Sequence, residues 1–167
     1  IEAALQEHRI DLGLVEGISR LPNLKYTTFL QDELVAVVHT GNKLSLPDEI
    51  TPEDLSRIPL VLRERGSGTL DVFERALSGH NIKLSSLNVL LYLGSTESIK
   101  LFLEHTDCMG IVSIRSISRE LLSGTFRVIE IKGMPMLREF CFAQPQGQES
   151  GLSQVLMQFA MHHNKKL

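Results

Sequence analysis

Apolar and polar positions along this chain follow two periods in turn, one typical of strands and one typical of helices. Short runs rich in Val, Ile and Leu predict strands at Arg9–Val15, Leu24–Leu30, Leu34–His39, Leu60–Arg63, Val89–Leu93, Met109–Ile114, Phe126–Ile131 and Met136–Phe142. Apolar residues three or four positions apart predict helices over residues 1–8, after Thr51, and at Leu70–Ser78, Glu97–His105, Ser116–Leu122 and Leu152–His162. Strands that alternate with helices in this way predict an α/β fold with a mixed or parallel sheet.

The most informative segment is Leu62-Arg63-Glu64-Arg65-Gly66-Ser67-Gly68-Thr69, which predicts a strand, a glycine-bracketed turn and the start of a helix. The two glycines permit positive φ angles and allow a ligand to approach the backbone closely. Ser67 or Thr69 can cap the helix, and the N–H groups of a first helical turn attract anions. Two interpretations stay open on these residues alone: an anion-binding turn and a well-capped helix start.

Two further helix starts carry capping signals. Ser95 or Thr96 can cap the helix that follows the strand ending at Leu93, and Glu97 suits the positive end of its dipole. Thr51, with Asp54 three residues later, forms a weaker version of the capping box. Capping alone accounts for both segments. The first gains interest because ligands of α/β sheets bind beyond the carboxyl ends of strands, where helix N-termini converge.

A third candidate is the end of the apolar strand Asp11-Leu12-Gly13-Leu14-Val15, which Glu16 and Gly17 follow. A single glutamate in such a place is ordinarily a solvated loop carboxylate. Its position beyond the carboxyl end of a strand is what makes Glu16 a candidate for ligand contact.

Composition limits the classes of function. The chain has 167 residues, enough for two lobes of roughly 70 to 100 residues. Its formal net charge is −3, with acidic and basic residues dispersed, and the basic cluster at residues 162–166 is typical of a helix terminus, so we expect no DNA binding by this chain itself. No apolar run reaches membrane-spanning length and no secretory signal is recognisable. With only two cysteines, a cytoplasmic location is the simplest expectation.

The chain lacks the patterns of catalytic and cofactor sites. Gly66 and Gly68 begin a dinucleotide fingerprint, but Asp71 stands where the third glycine belongs. Ser67 has no recognisable base to activate it as a nucleophile. His105 and Cys108 have the spacing of half a zinc site, and no second pair follows. We therefore expect no catalytic activity, no cofactor and no metal.

Five segments, taken in order, resemble the effector-binding domain of LysR-type transcription regulators. They are Leu-Gly-Leu-Val-Glu-Gly (12–17), Leu-Gln-Asp-Glu-Leu-Val-Ala-Val-Val (30–38), Leu-Arg-Glu-Arg-Gly-Ser-Gly-Thr (62–69), Leu-Gly-Ser-Thr-Glu-Ser-Ile-Lys (93–100) and Met-Gly-Ile-Val-Ser-Ile-Arg-Ser (109–116). Each segment is loose by itself, and the specificity lies in their order and spacing. The first strand of the family's domain and the winged helix-turn-helix have no counterpart in this sequence, so we expect an N-terminally truncated form whose first lobe is incomplete.

The resemblance implies a fold like that of a periplasmic binding protein, with two α/β lobes joined by two crossing hinge strands. The first lobe would be residues 1–37 plus 141–167, and the second would be residues 38–140. An effector would bind in the cleft between the lobes. The residues expected to line it are Gly66, Ser67, Gly68, Thr69, Ser95 and Thr96 from the second lobe, and Glu16 and Gly17 from the first.

The resemblance also implies a function. A small molecule, for which hydroxyls and helix N-termini favour an anion, would control DNA binding by a winged helix-turn-helix outside this chain. The protein would form a homodimer or tetramer, with the helix ending at His8 in one subunit against the Glu97–His105 helix of the other. The alternative is a periplasmic solute-binding protein for transport, which shares the fold.

Overall fold

Strands and helices alternate along the chain in this computed structural model, which describes residues 1–16, 20–147 and 150–164. The strands are β1 (Gly13–Glu16), β2 (Leu24–His39), β3 (Glu49–Ile50), β4 (Leu60–Arg63), β5 (Val89–Leu93), β6 (Met109–Ser113), β7 (Phe126–Ile131) and β8 (Met136–Pro145). The helices are α1 (Glu2–Gln6), α2 (Gly68–Gly79), α3 (Thr96–His105), α4 (Ser118–Leu122) and α5 (Gly151–Asn164), with 3-10 turns at Pro52–Arg57, Leu84–Ser86 and Ile114–Ile117. The predicted mixed α/β fold is confirmed.

Two of the elements that differ from the pattern-based prediction have a clear physical cause. Residues 24–39 form one strand where the sequence predicts two, because the polar run at residues 31–33 does not interrupt pairing and Asp32 is buried. β1 has only four residues where a strand over Arg9–Val15 is predicted, because His8 takes a positive φ of 56° and the chain is still closing α1 there. The Arg9 N–H donates to the Ala4 carbonyl at 2.9 Å, which satisfies the end of that helix.

The chain divides into two compact units, Ile1–Asp32 with Arg138–Leu167, and Glu33–Leu137. We call these the first and second units. β2 and β8 are the two strands that run from one unit into the other. The lobe boundaries expected from the family resemblance, residues 1–37 plus 141–167 and residues 38–140, stay a prediction.

The second unit is a sheet with a hydrophobic core on each face. Its strand order is β5-β4-β6-β2, with β7 also paired to β2; β4 runs parallel to both β5 and β6, whereas β2 is antiparallel to β6 and to β7. Alternate residues of β4 point to opposite faces: Leu60 and Leu62 join the core that includes α2, and Val61 joins the core that includes α3. α2 and α3 therefore pack against opposite faces of one sheet.

Gly110 lets α3 lie close to β6. A Cβ atom at this glycine would lie 3.0 Å from Ile99 Cγ2 and 3.1 Å from the nearest Leu103 methyl. Ile99 and Leu103 are 0% and 1% exposed, and burial of a side chain of this size stabilises the fold by about 1.5 to 3 kcal/mol. This close packing fixes the axis of α3, and with it the position of the helix start after β5.

The first unit is smaller, and its strands lie in the order β1-β8-β2. β1 pairs with β8 in antiparallel register, with Gly13 opposite Ala143. Its core contains Leu5, Leu24 and Ala143. α5 leaves much of its apolar surface exposed, at Leu152, Val155, Leu156 and Phe159. No helix in the described part of the chain is long and apolar enough to cross a bilayer.

Candidate functional site

The turn between β4 and α2 is shaped by one glycine and one serine. Gly66 takes a φ of 85°, which favours glycine, and a Cβ atom there would meet nothing within 4 Å. Ser67 is the N-cap, and its Oγ accepts a hydrogen bond from the Leu70 N–H at 3.2 Å. Gly68 is already the first residue of α2. The sequence left Ser67 and Thr69 open as the cap, and the structure assigns that role to Ser67.

The start of α3 is built in the same way. Ser95 is the N-cap and its Oγ accepts from the Ser98 N–H at 3.1 Å, while the two hydroxyl oxygens of these serines lie 2.8 Å apart. Thr96 is the first residue of the helix and is half-buried. The predicted cap at residues 95–96 is confirmed, and Ser95 provides it.

The two helices begin at the same edge of the sheet, because β4 and β5, the strands that precede them, are parallel neighbours. Arg63 stands opposite Leu93 in the register, and the next N–H, that of Glu64, donates to the Leu93 carbonyl at 3.1 Å. Both strands therefore end at the same edge of the sheet. The first N–H groups of a helix have no intrahelical acceptor, so those of Gly68 and Thr96 are placed at this edge, where ligands of α/β sheets bind.

Arg63 and Glu64 add a charge pair at this edge. Arg63 donates to Glu64 from Nε at 2.7 Å and from Nη2 at 2.9 Å, and Nη2 also lies 3.4 Å from the Gly94 carbonyl. The hydrogen bond from Arg63 lowers the pKa of the Glu64 carboxyl, and the same bond raises the pKa of Arg63. Both groups are therefore charged at neutral pH, and together they contribute no net charge.

A pocket of about 500 Å³ lies on one side of the turn. Gly66 and Tyr92 line it together with one guanidinium, that of Arg65, and two carboxylates, those of Asp71 and Glu74. The excess of negative charge disfavours an anion in this pocket. An anion would be better placed against the N–H groups at the starts of α2 and α3.

The other predicted site residues have different surroundings. Thr69 is inside the first turn of α2 and only 8% exposed. The Glu16 carboxylate, at the end of β1, accepts a hydrogen bond from Arg138 Nη1 at 2.8 Å, so the structure places it in an ion pair where the sequence suggested a solvated loop. Gly17 lies outside the described residues. That any of these residues contacts a ligand stays a prediction.

A second concavity, of about 380 Å³, lies in the second unit and was not predicted. It is lined by residues 33–36 of β2, residues 128–131 of β7, Ile114, and the segment from Gly133 to Met136. β7 pairs with β2 only from Ala36 onward. The pocket lies at the end of the paired part of β2 and β7. The register of the two strands is set in the folded protein, so no local sequence signal could have revealed the pocket.

The described residues hold no group of three or more His, Cys, Asp and Glu side chains placed to bind a metal ion. Cys108, one of two buried cysteines without a disulfide, is fully buried beside Asp107. Burial raises the pKa of its thiol to about 11, with a smaller contribution from Asp107. The thiol is therefore protonated and weakly nucleophilic at neutral pH.

Curated relatives of this chain include several transcription regulators. The HTH-type transcriptional regulator YeiE of Escherichia coli (strain K12) is 30% identical over 128 residues, which are 77% of this chain and 42% of YeiE. The HTH-type transcriptional activator CmpR of Synechocystis sp. (strain PCC 6803) is 28% identical over 138 residues, which are 82% of this chain and 44% of CmpR. The chain thus spans less than half the length of these curated relatives.

Solved structures of regulatory domains share the fold of this chain. The regulatory domain of CcmR from Synechocystis PCC6803, solved in complex with 2-PG, superimposes with a TM-score of 0.81 at 23% identity, and the match covers 99% of this chain and 79% of that one. The predicted fold, like that of a periplasmic binding protein, is confirmed. The model of the LysR substrate binding domain matches residues 1–165. This family consists of binding domains rather than enzymes, and the chain belongs to it.

Proposed function

We propose that this chain is the effector-sensing domain of a bacterial LysR-type transcription regulator that acts in the cytoplasm, and that its effector is a small anion. The anion would bind at the ends of β4 and β5, against Gly66–Thr69 and Ser95–Thr96. Glu16 and Gly17 are the residues of the first unit that we expect to contribute. The 2-PG in the CcmR complex is consistent with a small molecule as the ligand of such a domain.

One observation carries this proposal: α2 and α3 follow the adjacent parallel strands β4 and β5, so both helices begin at the same edge of the sheet. Each helix start concentrates about half a positive elementary charge and presents N–H groups without intrahelical acceptors. The side chains of the cap residues Ser67 and Ser95 accept from the N–H groups of Leu70 and Ser98, which lie in the third position of each helix. The N–H groups of Gly68 and Thr96, the first residues of the two helices, are placed to meet an acceptor from a ligand.

An effector can act only if it binds one arrangement of the protein more tightly than another. We infer that effector binding changes the arrangement or the dimer geometry of this domain and thereby repositions a winged helix-turn-helix that is not part of this chain. DNA would be contacted only through that separate domain, since the dispersed charge of −3 offers no basic surface.

Homodimerisation, or tetramer formation, belongs to the same proposal. β5 is the last strand of its sheet, and it leaves Leu90, Leu91 and Tyr92 between 37% and 47% exposed. Leu101 of α3 is 60% exposed. Apolar side chains grouped on an edge strand and its neighbouring helix are typical of a protein interface. We propose that this surface contacts the α1 region of a second copy, twice in a two-fold dimer.

The regulator and the transport alternative differ in what their genes encode before this domain. The test is to sequence the DNA upstream of the codon for Ile1. An in-frame helix-turn-helix region supports the proposal, whereas an in-frame secretory signal peptide would show that the chain is an exported binding protein.

A further inference from the structure

We propose that Arg63 is an effector-binding residue whose guanidinium is occupied by Glu64 until an anionic effector displaces that carboxylate. This inference rests on the proposed function and adds a specificity-determining residue to the same site. In this step the effector anion replaces the Glu64 carboxylate as the partner of the Arg63 guanidinium, and no covalent bond forms or breaks.

The position of Arg63 is the first support. It is the last residue of β4, and its Nη2 lies 3.4 Å from the carbonyl oxygen of Gly94, the residue just before the Ser95 cap. Four residues further along its own chain, Ser67 caps α2. The guanidinium therefore lies at the edge of the sheet where both helices begin, and its charge would add to that of the helix starts once Glu64 is displaced. Arginine also presents the planar pair of donors that suits a carboxylate or phosphate.

The geometry of the pair is the second support. Glu64 accepts from Nε and Nη2 of Arg63 with both of its oxygens, at 2.7 and 2.9 Å, which is the two-point geometry that an anionic ligand would adopt. The Glu64 side chain is 43% exposed and that of Arg63 only 21%. Glu64 can therefore turn into water while Arg63 stays in place, and exposed pairs of this kind contribute little to stability.

The turn does not depend on the Glu64 carboxylate. The main-chain N–H of Glu64 donates to Leu93, and its carbonyl accepts from the Ser67 N–H at 3.2 Å. Both hydrogen bonds survive a change of the side chain. Replacing Glu64 thus removes a competitor for Arg63 without removing the contacts that hold β4, β5 and α2 together.

The test is calorimetric titration of the 167-residue chain with inorganic phosphate, and separately with sulfate, in the parent and in three variants. Glu64→Gln should bind the anion about 2- to 5-fold more tightly, since the competing ion pair is weak and exposed. Arg63→Gln should bind it about 10-fold more weakly, because a charge-assisted hydrogen bond is lost. Asp48→Asn is the matched control: it makes the same change of charge in the same unit, at an exposed partner of Arg127, and should leave the affinity unchanged.

The opposite directions of the first two effects separate a binding role from a structural one, because damage to the turn would weaken binding in both variants. Urea unfolding of each variant checks that it is folded. If the parent binds anions and Glu64→Gln and Arg63→Gln bind them equally well, Arg63 has no role and the proposed site stands. If neither the parent nor Glu64→Gln binds either anion, the inference and the anion site of the proposed function both fail.

Discussion

Arg138 donates from Nε to Asp32 Oδ2 at 2.8 Å, and its Nη2 forms an ion pair with the same oxygen at 2.7 Å. Its third nitrogen, Nη1, donates to Glu16 at 2.8 Å. The Arg138 side chain is 12% exposed, and those of Asp32 and Glu16 are 2% and 16% exposed. One guanidinium thus joins the first-unit strands β1, β2 and β8 through a largely buried cluster of charges.

We expect Arg138→Met to destabilise the protein by about 3 to 5 kcal/mol, because the variant would leave the Asp32 carboxylate buried without its cation. The measurement is the free energy of unfolding from urea denaturation. Arg127→Met is the control, since the Asp48 partner of Arg127 is 98% exposed and such a pair contributes about 0 to 1 kcal/mol. If both variants lose the same free energy of unfolding, the buried cluster is not important for stability.

Gly110 gives a second stability prediction, in the second unit. Gly110→Ala places a methyl group about 3 Å from Ile99 and Leu103, so α3 must shift and the protein should lose about 1 to 3 kcal/mol. Gly79→Ala is the matched control, because a Cβ atom there meets nothing within 4 Å and Gly79 has no positive φ. We expect Gly79→Ala to be neutral or slightly stabilising. A neutral Gly110→Ala would mean that α3 does not pack as closely as described.

The sequence predicts features that depend on near neighbours better than features that depend on distant ones. The caps at Ser67 and Ser95 could be predicted because each serves an N–H three residues later. Asp32 was not recognised as buried, since Arg138, which pairs with it, is 106 positions away. Arg63 and Glu64 are neighbours in the sequence, but the sequence does not show that they pair at the end of β4, beside Gly94.

Cys108 gives a prediction for alkaline pH. Burial raises the pKa of its thiol to about 11, whereas a thiol in the unfolded chain ionises near pH 8.5. The folded state therefore holds its proton more tightly, so this contribution to stability is fully present below pH 8.5. It declines as the pH rises toward 11, by about 1.4 kcal/mol or less per pH unit.

The measurement is the difference in free energy of unfolding between the parent and Cys108→Ala at several pH values. Taking the difference removes the effects of lysine and tyrosine ionisation, which both proteins share. We expect the free energy of unfolding of the parent, minus that of Cys108→Ala, to be constant from pH 6 to 8 and to decrease from pH 9 to 10.5. A difference that grows with pH would contradict the raised pKa.

The proposed dimer surface can be tested by replacing one of its exposed leucines with a charged residue. Leu101→Glu places a carboxylate at the exposed leucine of α3 and should weaken self-association by about 10-fold or more, since an interface does not tolerate an unpaired buried charge. Leu122→Glu makes the same change at a leucine that is 90% exposed at the end of α4. Analytical ultracentrifugation measures both. If Leu122→Glu weakens association and Leu101→Glu does not, the interface is elsewhere.

The central claim is that a small anion binds at the starts of α2 and α3, and backbone NMR tests it most directly. Titration of the isotope-labelled chain with phosphate, or with 2-PG, should shift the amide signals of Gly68, Thr96 and Glu97 together with one common dissociation constant. The amide signals of Glu53 and Asp54, at a helix start that already carries its own carboxylates, should stay in place. Shifts confined to other parts of the chain, or equal shifts at Glu53 and Asp54, would contradict the account.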